Sequence, residues 1–191
     1  SIRVFQETGC QAVKLEGGLT AAPIVKRLTE QGIPVVAHIG LTPQSIHQLG
    51  GYCRHGKTDE SILLLRASAF ALQEAGAFCI VLECVVPEIA ATLTQDLQIP
   101  TIGIGSGPDC SGQVLVVNDL IGLGLKPAPS FARPKADVAG VIRKAATEYL
   151  NEVKGKNLIP EIPSLPPRKQ EEACRSEKAN GSSLMSETRI Q

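Results

Sequence analysis

Aromatic side chains are nearly missing from this chain: four Phe, two Tyr and no Trp make up 3% of 191 residues. Any core it forms has to be aliphatic. Net charge is missing too, with 19 Lys and Arg against 19 Asp and Glu. That balance removes a sequence-wide electrostatic case for binding nucleic acid or an anionic membrane. No apolar run reaches the roughly 20 residues that a membrane-crossing helix requires. The six cysteines, Cys10, Cys53, Cys79, Cys84, Cys110 and Cys174, include no C-x-x-C pair. They read as reduced thiols that pack as small hydrophobes, in a reducing compartment such as the cytoplasm or an organelle matrix. A dinucleotide-binding fingerprint is also lacking, and Ser106 and Cys110 have no neighbouring His and Asp to make them nucleophiles. A start at Ser1 without Met is what a fragment or a processed product would show.

What remains is an aliphatic, regularly alternating pattern. Hydrophobic residues make up 43% of the chain, enough for one domain with a substantial core. Short β-branched runs alternate with stretches of helical period, the signature of a parallel α/β architecture. The spacing predicts a helix from Ala21 to Gln31 with Ile24, Val25 and Leu28 on one face, ended by Gly32. Further helices are expected over Asp59 to Ala75, from Pro87 to Leu97, and over Asp137 to Val153. Strands are expected around Val13, Val35, Cys79 and Thr101, with a fifth from Gln113 to Val117, and a long glycine-rich loop spans Gly40 to Gly56. Five such units suit an open doubly wound sheet or most of a (β/α) barrel. The barrel fits better, because polar residues stand at the ends of several different strands. The segment from Lys156 to Gln191, with four prolines and no apolar period, is expected to be a disordered tail. Residues 1–155 then form the catalytic domain and residues 156–191 the tail.

The chemistry sits at strand ends. Gln11-Ala-Val-Lys-Leu-Glu-Gly-Gly18 and Cys79-Ile-Val-Leu-Glu-Cys84 are apolar strands that finish in glutamates. Alternation puts Lys14 and Glu16 on one face. Charges within a buried strand are costly unless they meet water, a metal or a substrate. A plain intrastrand ion pair is one reading of that pair. The other makes Glu16 a hard oxygen ligand for a Mg²⁺-type ion and Lys14 the partner of an anionic substrate. His38 ends another strand, while His47 and His55 are too scattered to make a zinc set. Asp119 reads as a local cap. Ile102-Gly-Ile-Gly-Ser-Gly107 reads as a phosphate-binding turn, as a place where the backbone approaches a ligand closely, or as a tight exit from a strand.

Together, Val13-Lys-Leu-Glu-Gly-Gly18, His38-Ile-Gly-Leu-Thr-Pro-Gln-Ser45, Val81-Leu-Glu-Cys84, Ile102-Gly-Ile-Gly-Ser-Gly107 and Gly112-Gln-Val-Leu-Val116 resemble the ketopantoate hydroxymethyltransferase family. Gly-Leu-Thr-Pro-Gln-Ser is the most specific piece, and order and spacing agree from Ser1 to about Val153. The resemblance implies a Mg²⁺-dependent TIM-type (β/α) barrel that works on small molecules. It would move a one-carbon unit from 5,10-methylenetetrahydrofolate to C3 of 3-methyl-2-oxobutanoate, a step towards pantothenate, within a homo-oligomer. It makes Glu16 a metal ligand, Lys14 and His38 substrate contacts, and Glu83 the general acid/base. The family's further N-terminal strands, with aspartate and serine contacts, have no counterpart in this sequence. The expectation is therefore a partial barrel lacking its first strand units, with impaired activity. Cys110-Ser-Gly also replaces an Asp-Gly common in the family's loop. Two other readings stay open: a non-catalytic barrel that partners an intact homologue, and a 2-oxo-acid lyase of the phosphoenolpyruvate mutase or isocitrate lyase type.

Overall fold

A computed structural model describes residues 2–43, 54–124 and 127–155. Along the chain come α1 (Ile2–Thr8), β1 (Val13–Glu16), α2 (Ala22–Thr29), β2 (Val35–Gly40), α3 (Asp59–Glu74), β3 (Cys79–Glu83), α4 (Pro87–Asp96), β4 (Thr101–Ile104), β5 (Gly112–Gln113), α5 (Val117–Leu120) and α6 (Val138–Lys154). The strands form one five-stranded sheet in the order β1-β2-β3-β4-β5, and every pairing is parallel. A doubly wound sheet reverses its order at a switch point. This one advances in a single direction, which is the winding of a (β/α) barrel, here an arc of five strands.

The helices form where the sequence supplies their ends. Thr58 caps α3 by accepting a hydrogen bond from the Ser61 amide at 3.2 Å, and Asp59 and Glu60 sit in its first turn against the helix dipole. Pro23 and Pro87 occupy the first turns of α2 and α4, where no amide is needed. Gly32, at φ 76°, turns the chain out of α2 while the Ile33 amide bonds back to the Leu28 carbonyl.

Alternation then sorts the strand residues. Val35, Ala37, Ile39, Ile80 and Leu82 are buried together with Val25, Leu28, Leu65, Ala69, Leu72, Ala90 and Leu93 from α2, α3 and α4. Complete burial of a leucine such as Leu72, Leu82 or Leu93 stabilises by about 1.5–3 kcal/mol. Ile24 departs from the expected helical face and is exposed, while Ala21, Val25 and Leu28 are buried.

Two features differ from the pattern-based expectation. The helix α1 has no place in it, yet Phe5 packs against the core. The fifth strand was expected from Gln113 to Val117 but pairs only at Gly112 and Gln113. Its partner β4 turns away at Gly105, where φ is 66°, so the ladder ends and Val114 to Val117 stay exposed. Asp119 falls inside the short helix α5, which has no side-chain cap.

The chain divides into two compact units, Ser1–Val141 and Ile142–Gln191, and the sheet lies wholly in the first. Helix α6 stands where its period predicts, but none of its residues is buried, and Val141, Ile142 and Tyr149 are exposed. The expected tail, residues 156–191, lies outside the described residues, as does most of the Gly40 to Gly56 loop. No helix among the described residues is long and apolar enough to cross a membrane.

Candidate active site

Register brings the polar strand residues onto one face. Glu16 pairs with His38, and Gly40 pairs with Glu83, so Lys14, Glu16, His38 and Glu83 all point away from the helix-covered side. All four stand at or near the carboxyl ends of β1, β2 and β3, where parallel sheets present their ligand-binding groups. The four expected site residues therefore come together as one cluster.

Its distances are short. Lys14 Nζ donates to Glu16 Oε1 at 3.1 Å and lies 3.1 Å from His38 Nδ1. His38 Nδ1 is 3.6 Å from Glu16 Oε1, beyond hydrogen-bond range. On its other side, His38 Nε2 stands 3.2 Å from Glu83 Oε2 without the alignment of a hydrogen bond. His38 is almost wholly enclosed, and the two carboxylates are only slightly exposed, whereas the Lys14 side chain is 47% exposed. The lysine thus meets both solvent and the buried groups. Lys14 and Glu16 do form the intrastrand ion pair, but within a larger cluster that such a pair alone does not explain.

The backbone around Glu83 is fixed from three sides. The Leu41 amide donates to the Glu83 carbonyl at 2.8 Å, and the Cys84 amide to the Ile104 carbonyl at 2.9 Å. Cys84 itself has φ 51°, a left-handed conformation that non-glycine residues seldom adopt without support. The support is Ser106, whose buried hydroxyl donates to the Leu82 carbonyl at 2.7 Å and accepts from the Val85 amide at 3.0 Å. With its hydroxyl engaged there, Ser106 is scaffold rather than nucleophile. Gly105 and Gly107 lie against Phe131 and Pro87, where a Cβ would collide. The glycines of this turn therefore have a packing reason to be glycine, as a tight strand exit requires.

His55, given no role by spacing, is tied to the same corner. Its amide donates to the Cys84 carbonyl at 2.9 Å, and its carbonyl accepts from the Val86 amide at 2.9 Å. It lines a cleft of about 210 Å³ together with Gly18, Thr42, Ser61, Leu65 and Ser68. Its Nε2 is buried without a hydrogen-bond partner among the described residues, as is that of His38. Leaving such a group unpaired costs about 1–3 kcal/mol. Nothing in the spacing marks His55, because only the bridge to Val85 brings it beside β3.

Burial pushes the His55 imidazole below its ordinary value of 6.5. The unfolded chain then takes up the proton first as pH falls. The stabilising contribution of His55 is full above 6.5 and is lost as pH drops through the lower folded value. Thermal melts between about pH 8 and about pH 5 should show Tm falling on the acid side, and His55→Gln should shrink that fall. An unchanged slope in the variant would assign the acid sensitivity to other groups. The Cys79 thiol is pushed up by burial, so it resists ionisation, and the described cysteines Cys10, Cys79, Cys84 and Cys110 are thiols rather than disulfides.

Glu16 offers one hard oxygen donor of the kind Mg²⁺ takes, since that ion commonly uses one or two carboxylates and completes its shell with water and substrate. Among the described residues, no group of three or more His, Cys, Asp and Glu side chains gathers into a metal cage. Among the described residues Glu16 is thus a single hard oxygen donor, which by itself does not make a metal site. Two carboxylates against one ammonium leave the cluster negative, which does not favour an anionic substrate without a further cation.

Comparison with known proteins agrees with the motif series. The family model described as ketopantoate hydroxymethyltransferase matches residues 1–160. The 3-methyl-2-oxobutanoate hydroxymethyltransferase of Trichlorobacter lovleyi is 51% identical over 152 residues, which cover 80% of this chain and 57% of that protein. Proteins of the same name from Geotalea daltonii and Mesorhizobium japonicum are 50% and 47% identical, over 80% and 81% of this chain and 57% and 54% of theirs. The chain thus spans little more than half the length of these relatives. Among solved structures, a chain of the Amycolatopsis orientalis BexX/CysO complex matches at a TM-score of 0.45 with 15% identity, covering 87% of this chain and 65% of that one. That likeness is too distant to bear on function.

Proposed function

The chain belongs to the ketopantoate hydroxymethyltransferase family, and from that premise we propose that it acts in hydroxymethyl transfer from 5,10-methylenetetrahydrofolate to 3-methyl-2-oxobutanoate, giving 2-dehydropantoate. The observation that carries this reading is the convergence of Lys14, Glu16, His38 and Glu83 at the ends of three adjacent strands.

In this reading Glu83 takes the proton from C3 of the 2-oxo acid. The C–H electron pair becomes that of an enolate, whose carbon bonds to the one-carbon unit. The carrier departs as tetrahydrofolate, and water supplies the hydroxyl. Lys14, partly in solvent, receives the substrate carboxylate as a compact positive charge. Mg²⁺ with Glu16 as a ligand supplies positive charge that stabilises the enolate when bound. His38, buried beside Glu83, orders that carboxylate. Assembly as a homo-oligomer belongs to the same proposal.

The test is proton exchange. The chain is incubated with 3-methyl-2-oxobutanoate in deuterated water, with and without Mg²⁺, and the C3 proton signal is followed by NMR. Loss of the signal that depends on Mg²⁺, followed by 2-dehydropantoate once the folate is added, supports the proposal. A folded chain that exchanges nothing sinks it, and carbon–carbon cleavage without folate would point to a lyase instead.

Metal binding can be read apart from turnover. Calorimetric titration with Mg²⁺ should show Glu16→Gln binding at least about tenfold more weakly than the unaltered chain, since even outer partners of metal ligands cost 10–100-fold. Equal affinity would remove Glu16 from the metal site.

A further inference from the structure

His38 is the most enclosed member of the cluster, with Lys14 and Glu16 beside its Nδ1 and Glu83 beside its Nε2. An ammonium has donors and no acceptor. Lys14 Nζ, 3.1 Å from His38 Nδ1, therefore requires a lone pair on Nδ1. A neutral ring then carries its hydrogen on Nε2. A doubly protonated ring would set an N–H against the ammonium, and a ring protonated on Nδ1 would do the same.

Glu16 pulls the other way. Its Oε1, 3.6 Å from Nδ1, would favour a hydrogen on Nδ1 if nothing stood between them. Lys14 Nζ satisfies both atoms, at 3.1 Å from each, and so decides between the two tautomers. The consequence lies across the ring. Nε2, buried and without an aligned partner among the described residues, stands 3.2 Å from Glu83 Oε2. The terminal torsion of a glutamate is soft, so a turn of the carboxylate closes that bond with no movement of the backbone.

We propose that Lys14 selects the Nε2–H tautomer of His38, and that His38 in this form is a positioning residue: it donates to Glu83 Oε2 and leaves Oε1 to face the substrate. The role of Glu83 in proton transfer rests on the transferase reading, whereas the tautomer and the carboxylate contact do not.

The experiment is NMR on the full 191-residue chain, labelled with ¹⁵N in histidine and ¹³C in the glutamate carboxyl group. The His38 signals should show a protonated Nε2 and a bare Nδ1. In Lys14→Met, where Glu16 becomes the nearest partner of Nδ1, the hydrogen should move to Nδ1. The Glu83 carboxyl signal should hold its position in His38→Gln, whose amide N–H extends to the place of Nε2. It should move in His38→Asn, one methylene shorter. Melting curves establish that each variant is folded.

A His38 protonated on Nδ1 in the unaltered chain would overturn the proposal, and so would a Glu83 signal that responds equally to Gln and Asn. Should a variant fail to fold, the tautomer of the unaltered chain still decides the first step. A chain that exchanges no substrate proton, yet keeps the Nε2–H tautomer and the selective Glu83 response, would count against the transferase reading and in favour of this arrangement.

Discussion

Glu83→Gln should slow exchange of the substrate C3 proton by about 10²–10⁴-fold, the usual contribution of a positioned general acid or base. Glutamine matches glutamate in shape and can still bond to His38, but it cannot accept a proton from carbon. The backbone bonds that hold this corner, from Leu41 to the Glu83 carbonyl and from Cys84 to Ile104, do not involve the altered atoms. Tm should therefore shift little while the rate collapses. A variant that exchanges at the original rate would make Glu83 a scaffold residue and move the search for the base to another carboxylate. A variant that loses Tm and rate together would point to a structural role.

Gly40→Ala should destabilise the fold by about 4 kcal/mol, at the exceptional end for a point substitution. Two costs combine at this position. Its φ of 90° is one that a side chain seldom tolerates, and a Cβ would run into the Glu83 carbonyl oxygen and come within 2.9 Å of Val85 Cγ2. Backbone cannot rotate out of the way as a side-chain tip can. Gly32→Ala isolates the first cost, because φ there is 76° and nothing lies within 4 Å of the added atom. That variant should lose only about 1–2 kcal/mol. Urea denaturation of both reads the difference directly. Equal losses would mean that β2 can shift away from β3, which would also loosen the hold on Glu83.

Local pattern carried much of the fold. Alternating strand residues and helix ends marked by Thr58, Pro87 and Gly32 are encoded within a few positions of each other, so they are readable without knowing the partner element. The same holds for the Lys14 and Glu16 pair, which share a face because they are two residues apart on one strand. Where a neighbour distant in sequence decides the outcome, pattern falls short. Gln113 to Val117 has the composition of a strand, yet only two of its residues pair, because β4 leaves the sheet at Gly105. Tyr149 keeps the period of a buried face on α6 and is nonetheless exposed.

For the site, the residue types at the strand ends and their order along the chain came from the sequence alone, and so did the family resemblance. Their distances did not. The 3.2 Å approach of His38 to Glu83 depends on the register of β2 against β3, and the 3.1 Å approach of Lys14 to His38 depends on that of β1 against β2. Both registers are set by hydrogen bonds between residues far apart in the chain. The left-handed bend at Cys84 and the bridge from His55 to Val85 are of the same kind. A strand's alternation says which side chains share a face, but only its pairing with a neighbour says which of them meet.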